Sequence, residues 1–113
     1  MELKIITTHD MPAIGSQSLA KEFDKEHSDI IGAIEKMIDL MTEEKDNLKS
    51  LIPSDIDINN YFIKDTNGYF ITQNGFALLV GEVQLDSQKS FEVMMKLITE
   101  REIIEQNKKA FGF

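Results

Sequence analysis

Hydrophobic and polar positions alternate with two different periods along this chain, and each change of period marks an element. Residues 62–64 and 69–71 are short aromatic and β-branched runs, which are typical of strands. Between them lies Asn67-Gly68, the dipeptide that most readily adopts the positive φ angles of a type I′ turn. The pattern therefore predicts a β-hairpin over about residues 61–72.

A further strand is predicted near the N-terminus, where residues 2–8 are rich in β-branched side chains. Pro12 and Gly15 break this run. We expect the strand to pair with the hairpin as a third strand and to complete a small antiparallel sheet.

Spacings of three and four residues predict two helices after this strand. Ser16 is a candidate N-cap for a helix over residues 17–23, and a polar turn leads to a second helix that begins near Ser28. The apolar row of the second helix contains Ile31, Ile34, Ile38 and Met41, widened by Ile30, Met37 and Leu40.

Two more helices are predicted after the hairpin. Thr72 can cap a short helix that contains the apolar run 76–80. A long closing helix over about residues 87–109 follows, capped by Asp86 or Ser87.

The first helix pair, over about residues 16–46, is joined by a turn of about four residues, and this spacing fits a helix-turn-helix. A hairpin beside such a pair would be its wing. The predicted fold class is α+β, winged helix-turn-helix-like and mostly helical with a small antiparallel hairpin or sheet, in a single domain over residues 1–113. A small α+β domain that packs in the same way without touching DNA has the same pattern.

Charge changes this picture, because the chain carries 20 acidic and 12 basic residues and a formal net charge of −8. Proteins that bind nucleic acid gain most of their affinity from Lys and Arg side chains that neutralise phosphates. One interpretation of an acidic surface is that it keeps the protein in solution. The other is that it binds a protein partner, such as a basic protein. Both interpretations weaken a simple DNA-binding prediction.

The inventory of chemical groups argues against an enzyme. The sequence has no cysteine, and its two histidines, His9 and His27, lack neighbours at metal-ligand spacing. It has no nucleophilic serine motif and no glycine loop that would hold a phosphate. We expect no catalytic residue, no metal and no cofactor. No secretion signal or membrane span is apparent, so we expect a cytoplasmic protein with no membrane partner.

Two groups of residues resemble the phage regulatory protein Rha family. Ser16, Leu19 and Ala20 fit its Ser-x-x-Ile-Ala element, and Lys25 and His27 fall in register with its Lys-Arg-His turn. The second element, Tyr-x-Leu-Thr-x-Asp-Gly-Phe-x-x-Leu, is matched by Tyr69, Ile71, Thr72, Gly75, Phe76 and Leu79, with Asn74 in place of the usual Asp. The likeness spans about residues 16–96. It implies a DNA-binding transcriptional regulator of a phage or prophage, acting in the bacterial host cell on double-stranded DNA.

Three positions depart from this family. Glu26 stands where Arg is common, and Gly32 and Glu35 occupy positions of the second helix that are often basic. A carboxylate repels a neighbouring phosphate, and it does not make the bidentate hydrogen bonds that recognise guanine. The alternative function is therefore an acidic adaptor or inhibitor that binds a host or phage protein. In one form of this alternative, the acidic domain imitates DNA towards a basic partner.

The candidate DNA contacts lie around the second helix and the hairpin. They are Lys25, His27, Ser28, Lys36, Lys64 and Asn67. His27 is a phosphate donor or a turn residue that bonds a backbone carbonyl, and Ser28 is a phosphate contact or an N-cap. Asn67 also has a purely structural explanation in the turn.

Regulators of this kind commonly dimerise to bind two half-sites. The closing helix is the predicted seam of a homodimer. Its seam residues are Phe91, Met94, Met95, Ile98, Ile103 and Ile104.

Overall fold

An antiparallel sheet of four strands is packed with four α-helices in the computed structural model, which describes residues 5–8, 11–47 and 58–110. The predicted α+β class is confirmed. In chain order the elements are β1 (Ile5–Thr8), β2 (Met11–Gly15), α1 (Ser16–Glu22), α2 (His27–Asn47), a 3-10 turn (Ile58–Asn60), β3 (Phe62–Asp65), β4 (Gly68–Thr72), α3 (Gln73–Glu82) and α4 (Ser87–Ala110).

The segment predicted to break the first strand is itself a strand, so that prediction was wrong. Met11–Gly15 forms β2, and Pro12 lies inside it opposite Thr7 of β1. Proline has no N–H for a ladder bond, which confines it to strand edges or ends. The pairing of β2 with β4 starts only at Ala13, so Pro12 faces no partner on that side.

The first strand also does not pair with the hairpin. The strand order is β1-β2-β4-β3, so β2 lies between β1 and the hairpin strand β4. This arrangement leads the chain directly from β2 into α1, because Gly15 ends the strand and Ser16 begins the helix.

The predicted hairpin is present, but its turn is not type I′. Asp65 pairs with Gly68, so the two loop residues are Thr66 and Asn67. A type I′ turn needs positive φ at both. Among the described residues Asp24 is the single non-glycine with positive φ, so Asn67 does not meet this requirement.

One hydrophobic core joins the sheet to all four helices. Side chains of Ile14, Phe62 and Ile71 come from three strands and are at most 1% exposed. Each such side chain contributes about 1.5–3 kcal/mol by leaving water. The helices add the buried residues Leu19, Ile30, Ile34, Phe76, Leu79, Val93 and Leu97.

The helix starts differ from the predictions in two places. Ser16 is the first residue of α1 and does not cap it, because Gly15 occupies the N-cap position without a side-chain bond. α2 begins at His27, so Ser28 lies in its first turn rather than in front of it. Asp86 does cap α4, since its Oδ2 accepts a hydrogen bond of 2.9 Å from Lys89 N.

Candidate nucleic-acid interface

A buried hydrogen-bonded group ties α1, α2 and the hairpin together. Ser16 Oγ accepts a hydrogen bond of 3.2 Å from Tyr69 N, and a bond of 2.8 Å joins it to His27 Nε2. Ser16 is only 2% exposed; its bond to Tyr69 N is buried, and its bond to the half-buried His27 is partly buried. We call Ser16, His27, Gly68 and Tyr69 the Ser16 corner.

Gly68 allows this close approach. Its φ of 144° lies in a region that side chains rarely adopt. A Cβ placed there would collide with Ser16 Oγ and would lie 3.1 Å from both His27 Nε2 and Ile31 Cδ1. The hairpin therefore packs directly on the first turns of α2 through its glycine.

The turn between α1 and α2 is fixed by its backbone. Asp24 adopts a φ of 54°, which aspartate tolerates better than most residues. Lys25 N donates to Ala20 O at 2.8 Å and so satisfies a carbonyl at the end of α1. This arrangement gives the helix pair a turn of four residues, 23–26.

Five of the six predicted contact residues gather around the Ser16 corner. His27 is part of it and bonds a side-chain hydroxyl, not the backbone carbonyl that one interpretation proposed. Ser28 follows it and is exposed, and Lys25 is exposed in the turn two residues earlier. Lys64 pairs with Tyr69 in the hairpin, with Nζ 5.6 Å from the centre of the Tyr69 ring. Asn67 lines a cavity of about 220 Å³ beside Ser16.

Lys36 lies apart from this group. It is nine residues beyond His27 on α2, about 13 Å along the helix axis. Its Nζ donates to Glu82 Oε1 at 2.6 Å, an ion pair that links α2 to α3. A carboxylate already partners this cation, so Lys36 contributes little positive potential to the exposed face of α2.

The exposed face of α2 is acidic. Asp29, Glu35 and Asp39 are all exposed along it, and Gly32 leaves a gap between them. Around the turn, Asp24 and Glu26 flank Lys25 and are exposed as well. A helix with this face repels phosphates along most of its described length.

Within residues 72–76, Thr72, Gly75 and Phe76 each have a structural role. Thr72 Oγ1 accepts a hydrogen bond of 3.2 Å from Gly75 N and donates one of 2.7 Å to Asn60 O. A Cβ on Gly75 would collide with the Tyr61 carbonyl oxygen, and Phe76 is fully buried. These contacts join the end of β4 to α3.

The predicted seam residues of the closing helix, α4, fall into two sets according to their exposure. Phe91, Met95 and Ile103 are exposed, whereas Met94, Ile98 and Ile104 are half-buried. The core is filled instead by Val93 and Leu97, neither of which belongs to the predicted seam.

Within residues 5–8, 11–47 and 58–110, no group of three or more His, Cys, Asp or Glu side chains is placed to hold a metal ion. None of the helices described there combines the length and the apolar character needed to cross a bilayer.

Comparisons with known proteins give no match: no protein-family model fits the chain, and neither a curated protein nor a solved structure is similar to it.

Proposed function

We propose that this chain is a phage or prophage regulatory protein that binds double-stranded DNA through a winged helix-turn-helix. In this arrangement α1 and α2 form the helix pair and the β3–β4 hairpin forms the wing. The observation that carries the proposal is the Ser16 corner, where one buried hydroxyl bonds both the second helix and the hairpin. The resemblance to the Rha family supports the same function.

The contacts of this protein with DNA centre on the turn and the wing. Lys25, in the turn two residues before His27, and Lys64, paired with Tyr69 in the hairpin, are both exposed cations. Each can neutralise one phosphate. The exposed carboxylates of Asp29, Glu35 and Asp39 repel the phosphate backbone of DNA from the rest of α2. Binding therefore depends on few phosphate contacts and is weak at physiological salt.

Fluorescence anisotropy with a labelled random duplex of 20 base pairs tests this proposal. For a single copy on the duplex, which neutralises two phosphates, log K falls against log salt with a slope of about −1.8, which is about a twelvefold loss between 50 and 200 mM. Lys25→Gln or Lys64→Gln is expected to reduce the slope by about 0.9. Arg101→Gln is the matched control, since Arg101 is an exposed cation on α4.

Two results would refute the proposal. One is no binding of any duplex at about 50 mM salt, where phosphate contacts are strongest. The other is an equal loss of affinity in the Arg101→Gln control, which would mean diffuse electrostatic attraction instead of a defined interface.

A second candidate function is favoured by the acidic face of α2. Its exposed carboxylates, together with the pairing of Lys36 to Glu82, suit a basic protein partner better than a phosphate backbone. The variant Glu26→Arg/Glu35→Arg separates the two functions in the same anisotropy assay. DNA affinity that appears only in the variant supports the adaptor, and affinity already present in the native chain at about 50 mM salt supports the regulator.

A further inference from the structure

The N-terminal half of α4 has two opposite apolar faces. Val93 and Leu97 are fully buried in the core, whereas the side chains of Phe91 and Met95 are 67% and 44% exposed. At 100° per residue, Phe91 and Met95 lie on the side of the helix away from the buried pair. One face is therefore covered by the core, and the other remains open.

The open face is a stripe with two unlike edges. Phe91, Met95 and Ile98 follow the i, i+4, i+7 spacing of one helix face, with half-buried Ile98 at its apolar edge. Glu92 and Lys96, both exposed, form the other edge. Glu92 and Lys96 carry opposite charges, so this edge has no net charge, although the chain as a whole carries −8.

We propose that a second copy of the chain packs on this stripe, with the two α4 helices antiparallel and the twofold axis beside Met94 and Met95. A twofold axis across two antiparallel helices sets like edges against each other. At a rise of 1.5 Å per residue, Phe91 then lies level with Ile98 of the second copy, to within about 1.5 Å. Apolar edge meets apolar edge, and Met95 meets its own copy at the centre.

The charges on the Glu92–Lys96 edge favour the antiparallel arrangement of the two α4 helices. In the same register Glu92 lies level with Lys96 of the second copy, and the symmetry makes this opposite-charge contact twice. A parallel pair would set the charged edge of one helix against the apolar edge of the other, which removes the opposite-charge contacts between the two copies. The self-complementary charge pattern is what identifies the occupant as a second copy. This inference goes beyond the proposed function and does not depend on DNA binding.

Sedimentation equilibrium between about 1 and 200 μM tests the dimer, in 150 mM salt so that repulsion between the acidic copies is screened. The native chain is expected to approach twice its monomer mass as concentration rises. Met95→Glu brings two carboxylates together on the axis and is expected to weaken association at least tenfold. Leu40→Glu is the matched control, because Leu40 is 43% exposed on α2 and lies outside the stripe.

Charge reversal tests the register. Lys96→Glu and Glu92→Lys are each expected to weaken the dimer, since each places like charges together. The double variant Glu92→Lys/Lys96→Glu restores the opposite-charge contacts and is expected to regain native association. Circular dichroism of each variant confirms that these exposed substitutions leave the fold intact.

Disulfide trapping tests the orientation, and the chain has no cysteine to interfere. Met95→Cys is expected to oxidise to a covalent dimer, because the two introduced thiols would meet at the axis. Ile103→Cys is expected not to, since the proposed register places those positions about 26 Å apart along the helices.

A native chain that stays monomeric at 200 μM would overturn the proposal, as would association unchanged by Met95→Glu. Equal trapping at positions 95 and 103 would overturn it too, because that result belongs to a parallel pair.

Discussion

Ser16 illustrates how the role of one residue depends on what packs beside it. A serine before an apolar helical run is a typical N-cap. Here the preceding residue, Gly15, takes that position, and the Ser16 hydroxyl turns to His27 and to the backbone of Tyr69. The same hydroxyl therefore stabilises tertiary structure, not a helix end.

Ser16→Ala is expected to lower the free energy of unfolding by about 1–3 kcal/mol, because it leaves the buried Tyr69 N–H without an acceptor. Ser28→Ala is the control, and it is expected to change stability by less than about 0.5 kcal/mol, as for an exposed position. Urea unfolding followed by circular dichroism measures both. A larger loss in Ser28→Ala would indicate that Ser28 caps α2 after all.

Two glycines of α3 make a second pair of predictions at the residue scale. Gly75→Ala places a methyl group against the Tyr61 carbonyl, and we expect a loss of about 1–3 kcal/mol. Gly81→Ala meets nothing within 4 Å, and we expect a gain of up to about 1 kcal/mol from helix propensity. Opposite shifts of the unfolding midpoint confirm the close approach at Gly75, and shifts of the same sign contradict it.

At the scale of elements, the charges on α2 distinguish the two proposed functions. Its inner face holds Ile30 and Ile34 in the core. Among the α2 side chains that the structure describes, residues 27–42, the outer face carries acids and one lysine, Lys36, which is paired with Glu82 of α3. Both groups of this ion pair are accessible to solvent, so it contributes at most about 1 kcal/mol to stability. Its main consequence is electrostatic, because it removes a free positive charge from the helix.

The substitution Glu82→Gln therefore tests whether α2 faces DNA. The substitution frees Lys36, and a helix lying in the groove would then bind DNA more tightly. Since we place the contacts at the turn and the wing, we expect an affinity within twofold of native in the anisotropy assay. A gain of tenfold would move the interface onto α2, and Glu105→Gln, which removes an exposed acid of α4, controls for the same change in overall charge.

At the scale of the whole molecule, net charge and assembly act together. A chain of charge −8 that makes two phosphate contacts is expected to bind DNA weakly, and the proposed dimer has two Ser16 corners. If both engage, four phosphates are neutralised and the salt slope rises to about −3.6.

Met95→Glu is then expected to return the salt slope to about −1.8, because it separates the copies without touching the turn or the wing. Leu40→Glu, which adds the same charge on α2, is expected to keep the dimer slope. Anisotropy between 50 and 200 mM salt measures both variants. Equal slopes in the two variants would mean that only one copy contacts the duplex.

Much of the element order was predictable from sequence, because period and capping are local properties. The paired runs around Asn67-Gly68, the Thr72 cap and the Asp86 cap each depend on residues within a few positions of one another. The strand Met11–Gly15 was missed, because whether proline is tolerated depends on which strand lies opposite it. The turn type was missed because Gly68 entered the ladder.

The sequence alone determined the α+β class, the hairpin, the helix pair and the acidic charge, since these follow from residues close together in the chain. Only the tertiary structure decided which cations remain free and which face of α4 remains open. Ser16 and Tyr69 are 53 residues apart, and Lys36 and Glu82 are 46 apart. Contacts over such distances depend on how the elements pack, and no local pattern specifies them.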